Sequence, residues 1–148
     1  MTMNPPTPKR VLILCTGNSC RSQMAEGFLR SLDPNLEIFS AGTNPAAHIS
    51  SRAIAVMKEI GIDISGHSPK SVDQFLSLPF DHVLTVCDNA RETCPVFAGQ
   101  VRHREHLGFD DPARATGTED EIIAEFRRVR YEIRMAFGAF YRDMIKQG

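Results

Sequence analysis

Residues 10–14, RVLIL, follow one arginine with four branched apolar side chains in unbroken succession. Successive side chains of a β-strand point to opposite faces of the sheet, so such a run suits a strand only where both faces are covered. That is the position of a central strand in a parallel sheet, and it confines the chain to α/β architectures. The pattern downstream agrees. Met24, Ala25, Phe28, Leu29 and Leu32 recur at helical spacing until Asp33-Pro34 stops them. Residues 36–40 (LEIFS) alternate as a strand does, and Ala53, Ile54, Met57 and Ile60 mark one face of a second helix with Gly61 as its stop. Residues 75–78 read as a short helical piece before Pro79, 81–86 (DHVLTV) as a third strand and 101–106 as a weaker fourth. Thr118 and Glu121 have capping-box spacing, and Ile122, Phe126, Val129, Ile133, Phe137, Phe140 and Met144 form the stripe of a docked C-terminal helix. Strands alternating with helices predict right-handed βαβ units: a four-stranded parallel sheet flanked by helices on both faces, with any ligand beyond the carboxyl ends of its strands.

A chain of 148 residues builds one such core, so a single domain is expected over residues 10–148, preceded by a Pro-rich, disordered leader over 1–9. The net charge of −1 sets up no general field for nucleic acid or an anionic membrane, and neither is expected as a partner. Any anion site must therefore be local. The first ten residues lack the apolar core of a secretory signal and VLILC is too short to span a bilayer, which predicts a cytoplasmic protein, taken to act as a monomer. In that compartment thiols stay reduced, so Cys15, Cys20, Cys87 and Cys94 point to catalysis, redox exchange or metal rather than to structural disulfides.

Cys15 opens a run of small and polar residues, Thr16, Gly17, Asn18, Ser19, Cys20, Arg21 and Ser22, between the first strand and the first helix. The run lacks the Gly-Lys-Ser/Thr ending of a Walker loop. Its small residues nevertheless let successive N–H groups turn inward around a tetrahedral oxyanion, with the helix N-terminus aimed at the same spot and Arg21 able to grip two oxygens in its planar fork. The same positive groups favour the thiolate, the nucleophilic form of cysteine, at Cys15. Asn18 is expected to hold the loop, Ser22 to donate to the thiolate or leaving group, and Cys20 to be a packed thiol and a side-site for oxidation.

The stretch CTGNSCRSQMAEG resembles the signature of the low-molecular-weight protein tyrosine phosphatase superfamily, and its wording is similar to that of the thioredoxin-coupled arsenate reductases within it. SAG at 40–42, DIS at 63–65, VLTVCDNARETCP at 83–95 and GFDDPA at 108–113 extend the likeness over nearly the whole chain. The resemblance implies a four-stranded parallel sheet and reduction of arsenate to arsenite through Cys15, Cys87 and Cys94, with Asp111 as general acid. It also implies thioredoxin as reductant.

On that reading Cys87 attacks the Cys15 sulfur and Cys94 then relays the disulfide outward. Were residues 87–94 helical, the two Cα atoms would stand roughly 10 Å apart, beyond disulfide reach, so DNARET is expected to unwind on oxidation. The alternative for Cys87 and Cys94 is simple packing. No metal is expected, because the cysteine spacings do not fit a zinc knuckle and the histidines, His67 and His106 among them, show no paired spacing. Some relatives bind potassium at positions resembling Asn18, Glu26 and Ser40 plus an acid; Lys70 stands where that acid would align, so no potassium requirement is expected. Two other functions fit the residues: a tyrosine phosphatase using Cys15, Arg21 and Asp111, and a non-enzymatic oxyanion or redox sensor. Against the former, DDPAR lacks the aromatic residues that would hold a phosphotyrosine ring.

Overall fold

The computed structural model describes residues 8–88 and 90–146; residues 1–7 of the expected leader, Asn89 and residues 147–148 lie outside it. Four strands, β1 (Arg10–Cys15), β2 (Glu37–Gly42), β3 (Phe80–Thr85) and β4 (Val101–His106), form one parallel sheet in the order β2-β1-β3-β4. Val11, Leu12, Ile13 and Leu14 have no exposed surface, as an apolar run in the centre of a sheet requires. β4 is the weak strand anticipated. It lies at the sheet edge, where its exposed Arg102, His103 and Arg104 discourage pairing with another chain.

Three helices, α1 (Arg21–Leu32), α2 (Ser51–Lys58) and α3 (Glu119–Phe140), bury their apolar residues in one cluster with Val11, Ile13 and Cys15. Helices were expected on both faces, but the opposite face is closed by a 3₁₀ turn, Val72–Phe75, and a phenylalanine group in which Phe80 meets Phe39, Phe75 and Phe97 edge-on. β1 is thus clamped between two cores, and the loop that follows it starts from a fixed point.

Local departures from the expected elements have local causes. The short helical piece lies at Val72–Phe75 instead of 75–78 because the Ser71 hydroxyl accepts from the Asp73 N–H and starts it early. Leu32, expected on the buried face of α1, is 47% exposed, since the helix ends there and Leu36 fills the core instead. At the end of α2 the Ile62 N–H bonds to the Met57 carbonyl and that of Gly61 to Lys58, with Gly61 at φ +80°, the Schellman closure that leaves Ile60 in the final turn. The capping box of α3 forms as its spacing predicted. Its stripe does not run to Met144. Residues Tyr141–Ile145 form a π turn, closed by the Lys146 N–H on the Tyr141 carbonyl, and the wider turn rotates Ile145 into the core while Met144 faces out.

Candidate active site

Cys15, the last residue of β1, pairs in register with Gly42 of β2, and this close approach makes Gly42 necessary: a Cβ there would lie 2.2 Å from the Thr16 carbonyl oxygen. The main chain of the loop beyond Cys15 is held by the segment that follows β2. The carbonyls of Cys15, Thr16, Gly17 and Ser19 accept hydrogen bonds from the N–H groups of Thr43, Asn44, Ala46 and Ser50. In a planar trans peptide the carbonyl and the following N–H point in opposite directions, so these bonds turn the N–H groups of Thr16, Gly17, Asn18 and Cys20 to the inner side. The Asn18 N–H accordingly donates to Cys15 Sγ at 3.3 Å.

Asn18 makes this loop possible. Its φ of 52° lies in the left-handed region, which asparagine tolerates better than most residues. Its buried side chain donates to Ser22 Oγ (2.8 Å) and accepts from Gln23 Nε2 (3.1 Å) and the Lys70 N–H (2.9 Å). Ser22 Oγ, which accepts from Asn18, lies 3.2 Å from Cys15 Sγ, within reach to donate its proton there. The roles expected for Asn18 and Ser22 are therefore those their geometry permits. Gln23, absent from the expected site, braces the loop from below and also reaches His67 and the Ser68 carbonyl.

The loop forms one wall of a cleft of about 440 Å³ lined by Cys15, Thr16, Gly17, Asn18, Ser19, Cys20, Arg21, Glu92, Thr93, Asp111 and Ala113. Arg21 is 5% exposed and donates from Nη1 to the Phe109 carbonyl at 3.0 Å. Asp111 enters from the far side, its Oδ2 3.8 Å from Arg21 Nη2, while its Oδ1 accepts from the Ala113 N–H and starts the turn Pro112–Arg114. Asp111 is thus both a turn residue and a carboxyl group facing Cys15's loop. Cys20 is buried, and that burial, reinforced by the charge of Asp111, pushes its thiol far above the ordinary range. A thiol so protonated and enclosed does not suit the expected role of oxidation side-site.

Cys87 follows β3, the strand beside β1, and is fully buried; it forms a disulfide with half-buried Cys94, their Cα atoms 5.8 Å apart. The connecting segment is a compact turn, with the N–H groups of Arg91 and Glu92 on the Asp88 carbonyl, so the described residues of DNARET are not helical in this disulfide form. Cys15 and Cys20 are free. The turn brings in a residue that sequence reasoning missed. Glu92 sets its two carboxylate oxygens against Arg21 Nη1 and Nη2 at 2.5 and 2.7 Å. The guanidinium's hydrogen bonds, opposed by desolvation, hold Glu92 below the usual carboxylate range; burial disfavours the Arg21 charge, but Glu92 and Asp111 outweigh it and raise its pKa. Seventy-one positions separate the partners, a spacing that no local signal could flag.

The residues aligned with a potassium site do not offer free ligands. Glu26 Oε1 accepts from the Ser40 hydroxyl at 2.7 Å, and Oε2 faces Arg30 Nε at 3.0 Å and His67 Nδ1 at 3.5 Å. Lys70 donates its ammonium to the Ser68 carbonyl; burial lowers its pKa, against the pull of Glu26. Glu26's charge is therefore already answered by the Arg30 guanidinium, since burial lowers the pKa of His67. Among the described residues no group of three or more His, Cys, Asp or Glu side chains could hold a metal ion, and no helix is long and apolar enough to cross a membrane.

Comparison with known proteins agrees with this geometry. The chain is 48% identical over 126 residues to the arsenate reductase of Bacillus subtilis (strain 168), covering 84% of this chain and 89% of that protein. It is 42% identical over 133 residues to arsenate reductase 2 of a Staphylococcus epidermidis strain, covering 89% and 95%. A solved arsenate reductase in its phosphate-binding state superposes with a TM-score of 0.77 at 30% identity, covering 92% of this chain and 98% of its own. The profile of low molecular weight phosphotyrosine protein phosphatases matches residues 10–148. On the fold, the loop at Cys15 and this match together, the chain belongs to the low molecular weight phosphotyrosine protein phosphatase family.

Proposed function

We propose that this protein reduces arsenate to arsenite by a relay through Cys15, Cys87 and Cys94, as part of arsenic detoxification. The observation that carries the reading is the Cys87–Cys94 disulfide lying beside an anion cradle with a free cysteine at its base. A phosphatase needs Cys15, Arg21 and an acid, and has no use for a second cysteine pair. In the relay, the Cys15 thiolate attacks arsenic while Asp111 protonates the departing oxygen, which leaves as water. Arg21, Ser22 and the loop N–H groups hold the remaining oxygens. Cys87 then attacks the Cys15 sulfur: an S–S bond forms, the S–As bond breaks, and its electron pair stays on arsenic as arsenite. The two thiolates have together lost two electrons. Cys94 attacks Cys87 in turn, returning Cys15 as a thiolate and leaving the disulfide seen here.

The reductant is thioredoxin, or a thiol partner of the same kind, acting in the cytoplasm on a monomer. Buried Cys87 is shielded and Cys94 is the half-buried member, so Cys94 is the sulfur an external thiolate reaches. No bound cofactor or potassium ion is required, since the Arg30 guanidinium already pairs with Glu26. The cleft also suits hydrolysis of small phosphate esters as a side activity, because phosphate shares arsenate's charge and shape. The test is arsenate turnover with thioredoxin, thioredoxin reductase and NADPH, comparing wild type with Cys87→Ser and Cys94→Ser. Both substitutions are expected to stop multiple turnover. Turnover surviving both, or aryl-phosphate hydrolysis without any arsenate reduction in the wild type, overturns the proposal.

A further inference from the structure

In the disulfide form the oxyanion-gripping face of Arg21 is already taken. Both Nη atoms meet the two oxygens of Glu92 side by side, which is the arrangement a guanidinium adopts with two oxygens of a phosphate or arsenate. Beyond Glu92, Arg21 meets the Phe109 carbonyl at 3.0 Å and Asp111 Oδ2 at 3.8 Å, and the side chain is only 5% exposed. Glu92 itself lines the cleft at Cys15. A carboxylate in that place and a dianionic oxyanion would share one fork and repel each other.

What puts Glu92 there is the turn that the disulfide closes. Glu92 Oε2 accepts from the Asp88 N–H at 2.8 Å, and its own N–H donates to the Asp88 carbonyl at 2.8 Å, so backbone and side chain are both anchored one residue after Cys87. Two residues further on, Cys94 is bonded back to Cys87 with the Cα atoms 5.8 Å apart. Opening that bond lets the ends of the turn separate, to roughly 10 Å if the segment becomes helical, and Glu92 travels with it.

We propose that Glu92 is an internal stand-in for the oxyanion, seated in the Arg21 fork when Cys87 and Cys94 are joined and withdrawn when they are reduced. On the reductase reading, on which its role in turnover rests, this solves a problem the chemistry creates. Arsenate is held as an anion, but arsenite is an uncharged acid near neutrality, so the reaction removes the partner of a buried guanidinium. An unpaired buried charge is costly, and Glu92 supplies the missing negative charge as the disulfide moves outward. The oxidised protein thereby closes its site to fresh arsenate and to competing phosphate until it has been reduced.

The test is the dissociation constant for inorganic phosphate, measured by calorimetry on reduced protein and on protein carrying the Cys87–Cys94 disulfide. In the wild type the oxidised form is expected to bind at least about tenfold more weakly than the reduced form, and in Glu92→Ala the oxidised-to-reduced ratio is expected to fall within about threefold. Glu92→Gln, closer in shape, is expected to give an intermediate ratio and serves should the alanine variant fail to fold. The alkylation of Cys15 gives a second reading: anionic iodoacetate, relative to neutral iodoacetamide, should react faster with oxidised Glu92→Ala than with oxidised wild type. Equal phosphate affinity of the two wild-type forms, or a ratio that neither variant changes, overturns the proposal. Absent arsenate turnover with the phosphate ratios as expected would remove the reductase reading and leave the stand-in in place.

Discussion

Asp111 combines two duties that sequence reasoning treats as rivals. Its Oδ1 accepts from the Ala113 N–H and its Oδ2 faces Arg21 across the cleft. An Asp111→Asn variant keeps an acceptor for the turn and loses the proton, so stability should hold while the first step of arsenate reduction slows by about 10²–10⁴-fold, the usual weight of a general acid. Stopped-flow measurement of a single turnover checks this, and an unchanged first step removes Asp111 from the chemistry. At this scale the sequence was readable wherever the partners were close along the chain: Cys15, Asn18 and Ser22 lie within seven positions of one another, and their contacts follow from a loop of small residues. Glu92 was not readable. Its charge and Arg21's are ordinary in composition, and only the turn closed by Cys94 makes them meet.

Among the elements, the C-terminal helix tests how far periodicity can be trusted. The 3.6-residue repeat holds from Phe126 to Phe140 and would place Met144 inside, yet the π turn at Tyr141–Ile145 gives that place to Ile145, 8% exposed against 39% for Met144. Ile145→Ala should therefore cost about 2–4 kcal/mol in urea denaturation, and Met144→Ala no more than about 0.5 kcal/mol. Equal costs would mean that the helix continues without the extra residue. The central strands β1 and β3 were legible to within a residue because a covered parallel strand must be apolar, whereas β2 runs two residues beyond its expected end, to Gly42. The turn at Val72–Phe75 was misplaced because a single serine hydroxyl decides where it starts, and a proline four residues later looked like the stronger signal.

For the molecule as a whole, the helical layer is tied together by charge as well as by its core. Glu59, at the end of α2, accepts from Arg127 and Arg130 of α3, and these hydrogen bonds pull its pKa down to about 2. A carboxylate held below its unfolded value adds stability above the ordinary carboxylate range, and this stability is lost as pH falls from about 4.5 toward 2. Glu59→Gln should flatten that acid limb in thermal melts and lower the melting temperature near neutrality by the same small amount, small because these ion pairs lie in water and are screened. A Glu59→Gln protein with the wild-type acid limb would exclude the pair as its source. With a net charge of only −1, the molecule as a whole neither attracts nor repels an oxyanion strongly, and recognition falls to the cleft itself.

The four hydrogen bonds from residues 43–50 to the carbonyls of the Cys15 loop carry a thermodynamic consequence. They tie the loop to the protein's own fold, so the disorder it gives up is lost when the chain folds and not when an anion arrives. Association can then proceed with little of the entropy penalty that a pliable loop would impose. It also follows that the side chains of Thr16 and Ser19 have little part in shaping the cradle, because a main-chain scaffold held from outside keeps its curvature whichever small residues decorate it.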